Sequence, residues 1–193
     1  NGWQFSQCRN LTVRGLRISG QTGNGLNLDD GGQLDRPVTG VTIEDVTISD
    51  IGPTGNHDAI KCSGLVDLTI RRCVITGWGG QGIDFVGCHK SLITECRFVG
   101  KPGFTASAAI QLKGGTSDIV VTKCHFQNAG ERPLNLGGST GLPYFRPPGA
   151  KHEAARLKVT DNTIEGSPCA AAFVGVDGAE FSHNTILFPT QWV

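Results

Sequence analysis

The sequence predicts an all-β solenoid of about seven coils, and three observations support this fold class. A short strand pattern, apolar-x-apolar-x-small, occurs seven times, and its second apolar residue falls at Phe5, Leu28, Cys62, Phe85, Leu112, Leu136 and Phe173. The copies recur at the roughly 20- to 50-residue spacing of solenoid repeats. Helical periodicity is scarce between the copies, so the repeating units are built from strands.

Each unit continues with a second strand and a third apolar point. The second strands run from Leu11-Thr-Val13 in the first unit to Glu180-Phe181 in the last. The third points are Ile18, Ile48, Ile75, Phe98, Phe126, Ile164 and Ile186. Equivalent positions of a solenoid stack into columns, so candidate functional residues can be sought column by column. The run from Lys151 to Arg156 has helical character, and we expect one or two helical turns there.

The bulk composition fits one domain over residues 1–193 and limits its partners. Lys and Arg together number 17, as do Asp and Glu, so the chain has no net charge to attract nucleic acid. Apolar runs stay well below the roughly 18 residues of a membrane span, so we expect no membrane partner. Because neither end shows a cap, we expect a fragment of a longer chain or contact with a flanking domain or second molecule. Trp3 and Trp192 lie at these ends.

The seven cysteines are predicted to be buried apolar side chains rather than disulfides or metal ligands. Cys73, Cys96 and Cys124 hold one repeat position in successive units, where other units carry Leu or Val. The last two units place Asn162 and Asn184 there, and we expect these amides to continue the column as a short buried ladder.

The outer face of the first strand is predicted to be polar. Because side chains alternate along a strand, the residues before and after each central apolar residue point outward. The column before it contains Gln4, Asn27, Lys61, Asp84, Gln111, Asn135 and Ala172. The column after it contains Ser6, Asp29, Ser63, Val86, Lys113, Gly137 and Val174. Charges of both signs therefore collect on the central coils.

Two insertions, at residues 31–38 and 139–156, leave the solenoid beside this polar face. Insertions on one side of a repeat array often frame a binding surface, so we expect a groove walled by loops. The second insertion contains Tyr144 and Phe145, which either stack on a sugar ring or tuck the loop onto the solenoid. It also contains Arg146, which either binds an anionic sugar or is simply solvated.

The repeat, the stacked apolar columns and the Asn/Cys ladder resemble the pectate-lyase-like superfamily. This resemblance implies a right-handed, single-stranded parallel β-helix in an extracellular or cell-surface protein, with a bacterial source favoured. The superfamily includes polysaccharide lyases, polygalacturonase-type hydrolases, esterases, adhesins and tailspikes. In its enzymes the substrate lies along the first-strand face. The segment Asn56 to Gly64 resembles the acidic segment of the hydrolases, with Asp58 in an acidic position and His57 replacing its partner.

Elimination from an acidic polysaccharide is the leading hypothesis. A lyase must remove the proton next to a carboxylate, which requires a cation for the carboxylate and a base whose pKa is lowered by neighbouring cations. We predict Lys61, Lys113 and Asp84 as the catalytic centre. Candidate substrate-binding residues are Asn27, Asp29, His57, Asp58, Gln111, Arg132, Asn135, Tyr144 and Arg146. The carboxylates of Asp29, Asp58 and Asp84 are candidate calcium ligands.

Three alternatives remain open. In the first, Lys61 and Asp84 form only a surface ion pair worth under about 1 kcal/mol. Asp29 and Asp84, with Asp58 as a second partner, are candidates for a hydrolase whose carboxyl groups stand roughly 6.5–9.5 Å apart. In the third, the chain is a non-catalytic glycan-binding or structural module of a larger secreted or surface protein.

Overall fold

The chain winds repeatedly through the same three strands and builds three parallel sheets along the length of the molecule. A computed structural model describes residues 2–191 of this right-handed parallel β-helix, which confirms the predicted fold class. We number the turns coil 1 to coil 7 from the N-terminal side. Every strand pairs in parallel with its equivalents in the neighbouring coils, so backbone hydrogen bonds run along the helix axis.

The sheets are named in the order in which each coil visits them. The first sheet contains Trp3–Ser6, Leu26–Asp29, Ile60–Ser63, Gln81–Val86, Ala108–Lys113, Leu134–Gly137 and Ala171–Val174. The second contains Thr12–Arg14, Val38–Thr39, Thr42–Glu44, Leu65–Val66, Thr69–Arg71, His89–Thr94, Thr116–Thr122, Ala154–Thr160 and Val176–Ser182. The third contains Arg17–Ser19, Thr47–Ile51, Val74–Trp78, Arg97–Val99, His125–Gln127, Thr163–Glu165 and Thr185–Leu187.

The register of the first sheet matches the predicted columns. Lys61 pairs with Asn27 on one side and with Asp84 on the other. Asp84 pairs in turn with Gln111, and Val86 pairs with Lys113. The outward column therefore exists as predicted, and it brings side chains distant in the sequence onto one face.

The interior follows the predicted apolar columns. The central residues Leu28, Cys62, Phe85, Leu112 and Leu136 are all buried. Such a stack gains the usual stabilisation of about 25 cal/mol for each Å² of apolar surface removed from water. The core is thus a continuous series of thin layers.

The cysteine and asparagine column is confirmed as a structural ladder. All seven cysteines carry free thiols. Five are buried as predicted, whereas Cys8 and Cys169 are only half-buried. The hydrogen bond with the neighbouring Cys124 thiol, together with burial, raises the pKa of Cys96 to about 12. The side chain of Asn162 continues the column by accepting from the Cys124 N–H at 2.9 Å and donating to Asn184 at 3.0 Å. These amides satisfy backbone groups that the apolar interior would leave unpaired.

The predicted helix at Lys151 to Arg156 is wrong. Residues 151–153 form an irregular bend, and strand Ala154–Thr160 begins immediately afterwards because it pairs with strands on both sides. A short 3-10 helix occurs instead at Leu142–Tyr144. The insertions are accordingly shorter than predicted and cover residues 31–37 and 139–153. We call the second one the wall insertion.

Within residues 2–191, no helix is long and apolar enough to cross a membrane. At the two ends of the stack, inward-facing positions are partly open: Trp3 is 49% exposed in coil 1 and Phe173 is 46% exposed in coil 7. Trp192, also predicted to serve an end contact, lies outside the described residues. The expected contact at the ends stays a prediction.

Candidate functional site

Two adjoining cavities lie on the outer face of the first sheet and form one groove. The first, of about 430 Å³, is lined by Asn56, Lys61, Ser63, Val86, Lys113, Ser139, Thr140, Gly141, Tyr144 and Arg146. The second, of about 300 Å³, is lined by Gln111, Lys113, Arg132, Asn135, Gly138, Ser139 and Val174. We call them the lysine half and the amide half. Because both contain Lys113 and Ser139, a ligand can run from one into the other.

The floor of the lysine half is a cluster of two lysines and two carboxylates. The Oδ2 atom of Asp84 accepts a hydrogen bond from Lys61 and lies 3.3 Å from the Nζ of Lys113. Lys61 also lies 3.7 Å from the Oδ2 of Asp58. The register explains the arrangement: Lys61 is directly opposite Asp84, and Lys113 stands on the next coil, two residues beyond the partner of Asp84.

The cluster is layered, with its carboxylates below its ammonium groups. Asp84 has no exposed surface and Asp58 is only 1% exposed. The side chains of Lys61 and Lys113 keep 21% and 19% exposure, so they present positive charge to the groove. The predicted Lys61–Asp84 pair exists, but it is not a surface pair. Because Asp84 is covered, it reaches the groove only through its contacts with the two lysines, which does not fit its predicted role as a catalytic group.

Burial and mutual charge shift the pKa values in this cluster. Burial and the neighbouring charge of Asp84 raise the pKa of Asp58 to about 6. Burial alone would lower the pKa of Lys61, but Asp84 and Asp58 outweigh it, and the net effect is a raised pKa. Lys61 is therefore held in its charged form. The expectation of a lysine base with a lowered pKa is wrong for this residue.

The three predicted calcium ligands do not form one site. Asp29 accepts hydrogen bonds from Ser6 at 2.6 Å and from other groups of coils 1 and 2. Asp58 and Asp84 have the ammonium group of Lys61 between them. No group of three or more His, Cys, Asp or Glu side chains in residues 2–191 is arranged to hold a metal ion. The donor atoms thus do not fit calcium, and the lysines supply the positive charge here.

The amide half offers hydrogen-bonding groups and one guanidinium. Asn135 donates to the Oε1 of Gln111 at 2.6 Å, and Gln111 donates to the carbonyl of Gly137. The Oδ1 of Asn135 is buried and has no hydrogen-bond partner among the described residues. Arg132 is 47% exposed on its side chain and lies 3.8 Å from Glu131, which leaves its charge accessible. A ligand or water would satisfy the unpaired amide oxygen.

The two aromatic residues of the wall insertion differ in exposure and therefore in role. Tyr144 is 64% exposed and lines the lysine half, whereas Phe145 is 7% exposed and anchors the insertion. Arg146 forms a bidentate ion pair with Asp30, with Nε–Oδ2 at 2.6 Å and Nη2–Oδ1 at 3.0 Å. Its charge is already neutralised, so the expectation that Arg146 binds an anionic sugar does not fit its surroundings.

Four predicted binding residues lie outside the lining of the two cavities: Asn27, Asp29, His57 and Asp58, the last of which is buried. Asn27 and Asp29 hydrogen-bond to each other at 3.0 Å in coil 2. The ring of His57 packs against Gly52 in the loop before coil 3. The groove therefore draws on coils 3 to 7 rather than on coil 2.

Several small polar residues of the groove escaped prediction. They are Asn56, Ser63, Ser139 and Thr140. Ser63 stands in an outward column and could have been chosen on that ground. Thr140 is held because its N–H donates to Glu153 at 2.5 Å, a contact within an irregular insertion that no repeat pattern reveals.

Comparisons with known proteins agree with the fold. The family model of the right-handed β-helix region matches residues 1–186. The crystal structure of an alginate lyase from Paenibacillus sp. str. FPU-7 superposes with a TM-score of 0.61 and is 18% identical. The similarity covers 94% of this chain and 72% of that one, and at this identity it concerns the fold alone. No curated protein matches the chain. With its family model spanning nearly the whole sequence, the chain belongs to the right-handed β-helix family.

Proposed function

We propose that the groove binds an acidic, uronate-containing polysaccharide and that the protein cleaves it by β-elimination. The observation that carries the proposal is the pair of ammonium groups, Lys61 and Lys113, presented to the groove from one buried carboxylate, Asp84. The structural likeness to an alginate lyase supports a polysaccharide substrate. An extracellular or cell-surface location would suit such a substrate.

Lys61 is suited to neutralise the uronate carboxylate. Its raised pKa keeps it protonated, and its side chain lines the lysine half of the groove. The proton to be removed sits on the carbon next to this carboxylate. Pairing the carboxylate with a fixed ammonium group stabilises the negative charge that develops as the proton leaves.

Lys113 is the proposed proton acceptor. It lines both halves of the groove, so it lies where a sugar in one half would join a sugar in the other. Its amine nitrogen takes the proton from the carbon next to the carboxylate, and that electron pair forms a carbon–carbon double bond. The bond from the neighbouring carbon to the glycosidic oxygen breaks, and this oxygen takes a proton from water. Only the free amine of Lys113 can accept the proton.

The test is the ultraviolet absorbance of unsaturated sugars released from alginate, pectate and glycosaminoglycans, with and without calcium. Lys113→Ala should abolish product formation, and Lys61→Ala should lower kcat as well as raise KM, because Lys61 pairs with the carboxylate in both the bound substrate and the transition state. Lys158→Ala is the matched control, because Lys158 also forms a cross-coil ion pair but lies in the second sheet. Absence of product from every polymer, or full activity of Lys113→Ala, would exclude this elimination mechanism.

Non-catalytic glycan binding is the second candidate. It is favoured by the two carboxylates beside Lys61, which raise the pKa of that lysine and keep it in its charged, anion-binding form. Binding of a uronate oligosaccharide without any product would select this function. Hydrolysis by paired carboxylates has less support, because Asp58 and Asp84 are covered. Hydrolysis would give new reducing ends without ultraviolet absorbance.

A further inference from the structure

The wall insertion leaves the solenoid in coil 6, yet its strongest contact is with coil 2. The guanidinium of Arg146 donates hydrogen bonds to both carboxylate oxygens of Asp30. The two side chains are 10% and 0% exposed. A bidentate pair removed from water fixes geometry more tightly than a single exposed contact. This ion pair therefore holds the wall insertion of coil 6 against the solenoid as far away as coil 2.

The same guanidinium also holds Tyr144. The Nη1 of Arg146 donates to the carbonyl oxygen of Tyr144 at 3.0 Å. The N–H of Arg146 donates to the carbonyl of Gly114 in coil 5 at 3.0 Å. Arg146 thus connects the backbone of Tyr144 to Asp30 on one side and to the solenoid on the other.

Three coils leave room for this contact by placing glycine beneath it. Gly64, Gly87 and Gly115 have φ values of +71°, +61° and +90°. A Cβ atom on Gly64 would collide with the carboxylate of Asp30, and one on Gly87 would collide with the side chain of Arg146. A Cβ on Gly115 would collide with the carbonyl oxygen of Arg146. Glycine at these three positions therefore leaves the space that the Arg146–Asp30 ion pair occupies.

We propose that Arg146 and Asp30 are positioning residues that hold the exposed ring of Tyr144 over the lysine half of the groove. Glu153 fastens the insertion elsewhere, through the N–H groups of Gly114 at 2.8 Å and Thr140 at 2.5 Å. Between the contacts of Arg146 and those of Glu153, the exposed ring of Tyr144 can contact a sugar bound at Lys61 and Lys113. The effect on sugar binding rests on the function proposed above, whereas the position of Tyr144 does not.

Tyr144 is the one tyrosine in the sequence, so its position can be measured directly. Protein labelled with 3-fluorotyrosine gives a single tyrosine ¹⁹F resonance. In the native chain we expect one resonance that shifts when a uronate oligosaccharide is added. In Arg146→Lys, which keeps the charge and loses the bidentate geometry, and in Asp30→Asn, the ligand-free resonance should move toward that of the unfolded chain.

Kinetics separate positioning from general stability. Each variant should raise KM about tenfold and change kcat little, because misplacement of a contact residue weakens binding. In a Tyr144→Ala background, Arg146→Lys should have no further effect on KM, since the two changes remove one interaction. A merely structural role would instead give effects that add.

The paired variant Asp30→Leu/Arg146→Met guards against loss of folding, because it leaves no unpaired buried charge. An unchanged ligand-free resonance in Arg146→Lys, Asp30→Asn and the paired variant, or additive KM effects, would overturn the proposal. If the resonance moves but no uronate polymer binds the native protein, the positioning of Tyr144 stands and the proposed function fails.

Discussion

The floor of the groove and its wall are built by different rules. On the floor, Lys61, Asp84 and Lys113 meet because neighbouring strands pair in one register. On the wall, Arg146 and Asp30 meet although no strand pairing relates them. Floor residues are thus constrained by the whole solenoid, and wall residues by a few specific contacts. Changes to the floor should therefore affect global stability, and changes to the wall should act locally.

Asp84→Ala should have the largest effect. It removes the carboxylate shared by Lys61 and Lys113 and leaves two like charges together at the groove floor. Breaking a buried pair by removing one partner costs about 3–5 kcal/mol, and we expect the lower part of that range because the lysines are partly exposed. Denaturant unfolding measures the loss. Asp177→Ala, at an exposed aspartate of coil 7, is the control and should leave stability unchanged.

Asp58 should make the floor sensitive to pH. Its pKa is raised from 3.8 to about 6 in the folded protein, so the folded state binds this proton more tightly than the unfolded chain does. As pH rises from about 4 to about 6, the unfolded chain releases the proton first, and the free energy of unfolding falls by an amount on the order of 3 kcal/mol. Above about pH 6 the loss is complete.

The measurement is the difference between the unfolding free energies of the native chain and Asp58→Asn as pH changes. This difference cancels the titration of other groups. The native chain should lose stability relative to Asp58→Asn across that window. A flat difference would show that Asp58 titrates normally and that its burial is less complete than the structure indicates.

These predictions also show what a repeat pattern can reveal. The pattern predicts the outward direction of Lys61 and Asp84, because direction follows from alternation along a strand. The pattern does not predict how deeply a side chain is buried. Asp84 is covered because the longer side chains of Lys61 and Lys113 reach over it. That depth changes the assignment of Asp84 from a catalytic group to a positioning group.

The wall was beyond prediction for a different reason. Asp30 and Arg146 are 116 residues apart in the sequence, and neither belongs to a repeated column. The predicted helix at residues 151–156 failed because local preference gave way to strand pairing from Ala154 onward. Repetition therefore predicts the floor and the core ladder, while the wall depends on contacts that occur once.

Gly87→Ala should have an intermediate effect that stays confined to the wall. The substitution strains a left-handed residue and also collides with the side chain of Arg146. Gly15→Ala is the matched control, because Gly15 also has a positive φ of +66° but lies outside the wall insertion with open space around it. We expect a cost of about 1 kcal/mol from strain in both and roughly one more from the collision in Gly87→Ala.

Limited proteolysis locates the damage from Gly87→Ala. Cleavage within the wall insertion should accelerate in Gly87→Ala and stay at the native rate in Gly15→Ala. Equal acceleration in both variants would mean that backbone strain, rather than displacement of Arg146, loosens the wall.

The smallest effect is expected at Lys158 and Glu180, which repeat the geometry of Lys61 and Asp84 on an exposed sheet. Each lysine lies directly opposite its acid in the next coil. The difference is exposure: the Lys158 and Glu180 side chains are 53% and 51% exposed, against 21% and 0% for the groove pair.

Double-mutant cycles should give a coupling of about 2 kcal/mol for the groove pair. They should give no measurable coupling for the exposed pair, since water and salt screen it. Equal coupling energies would mean that register alone, without burial, accounts for the strength of the groove cluster.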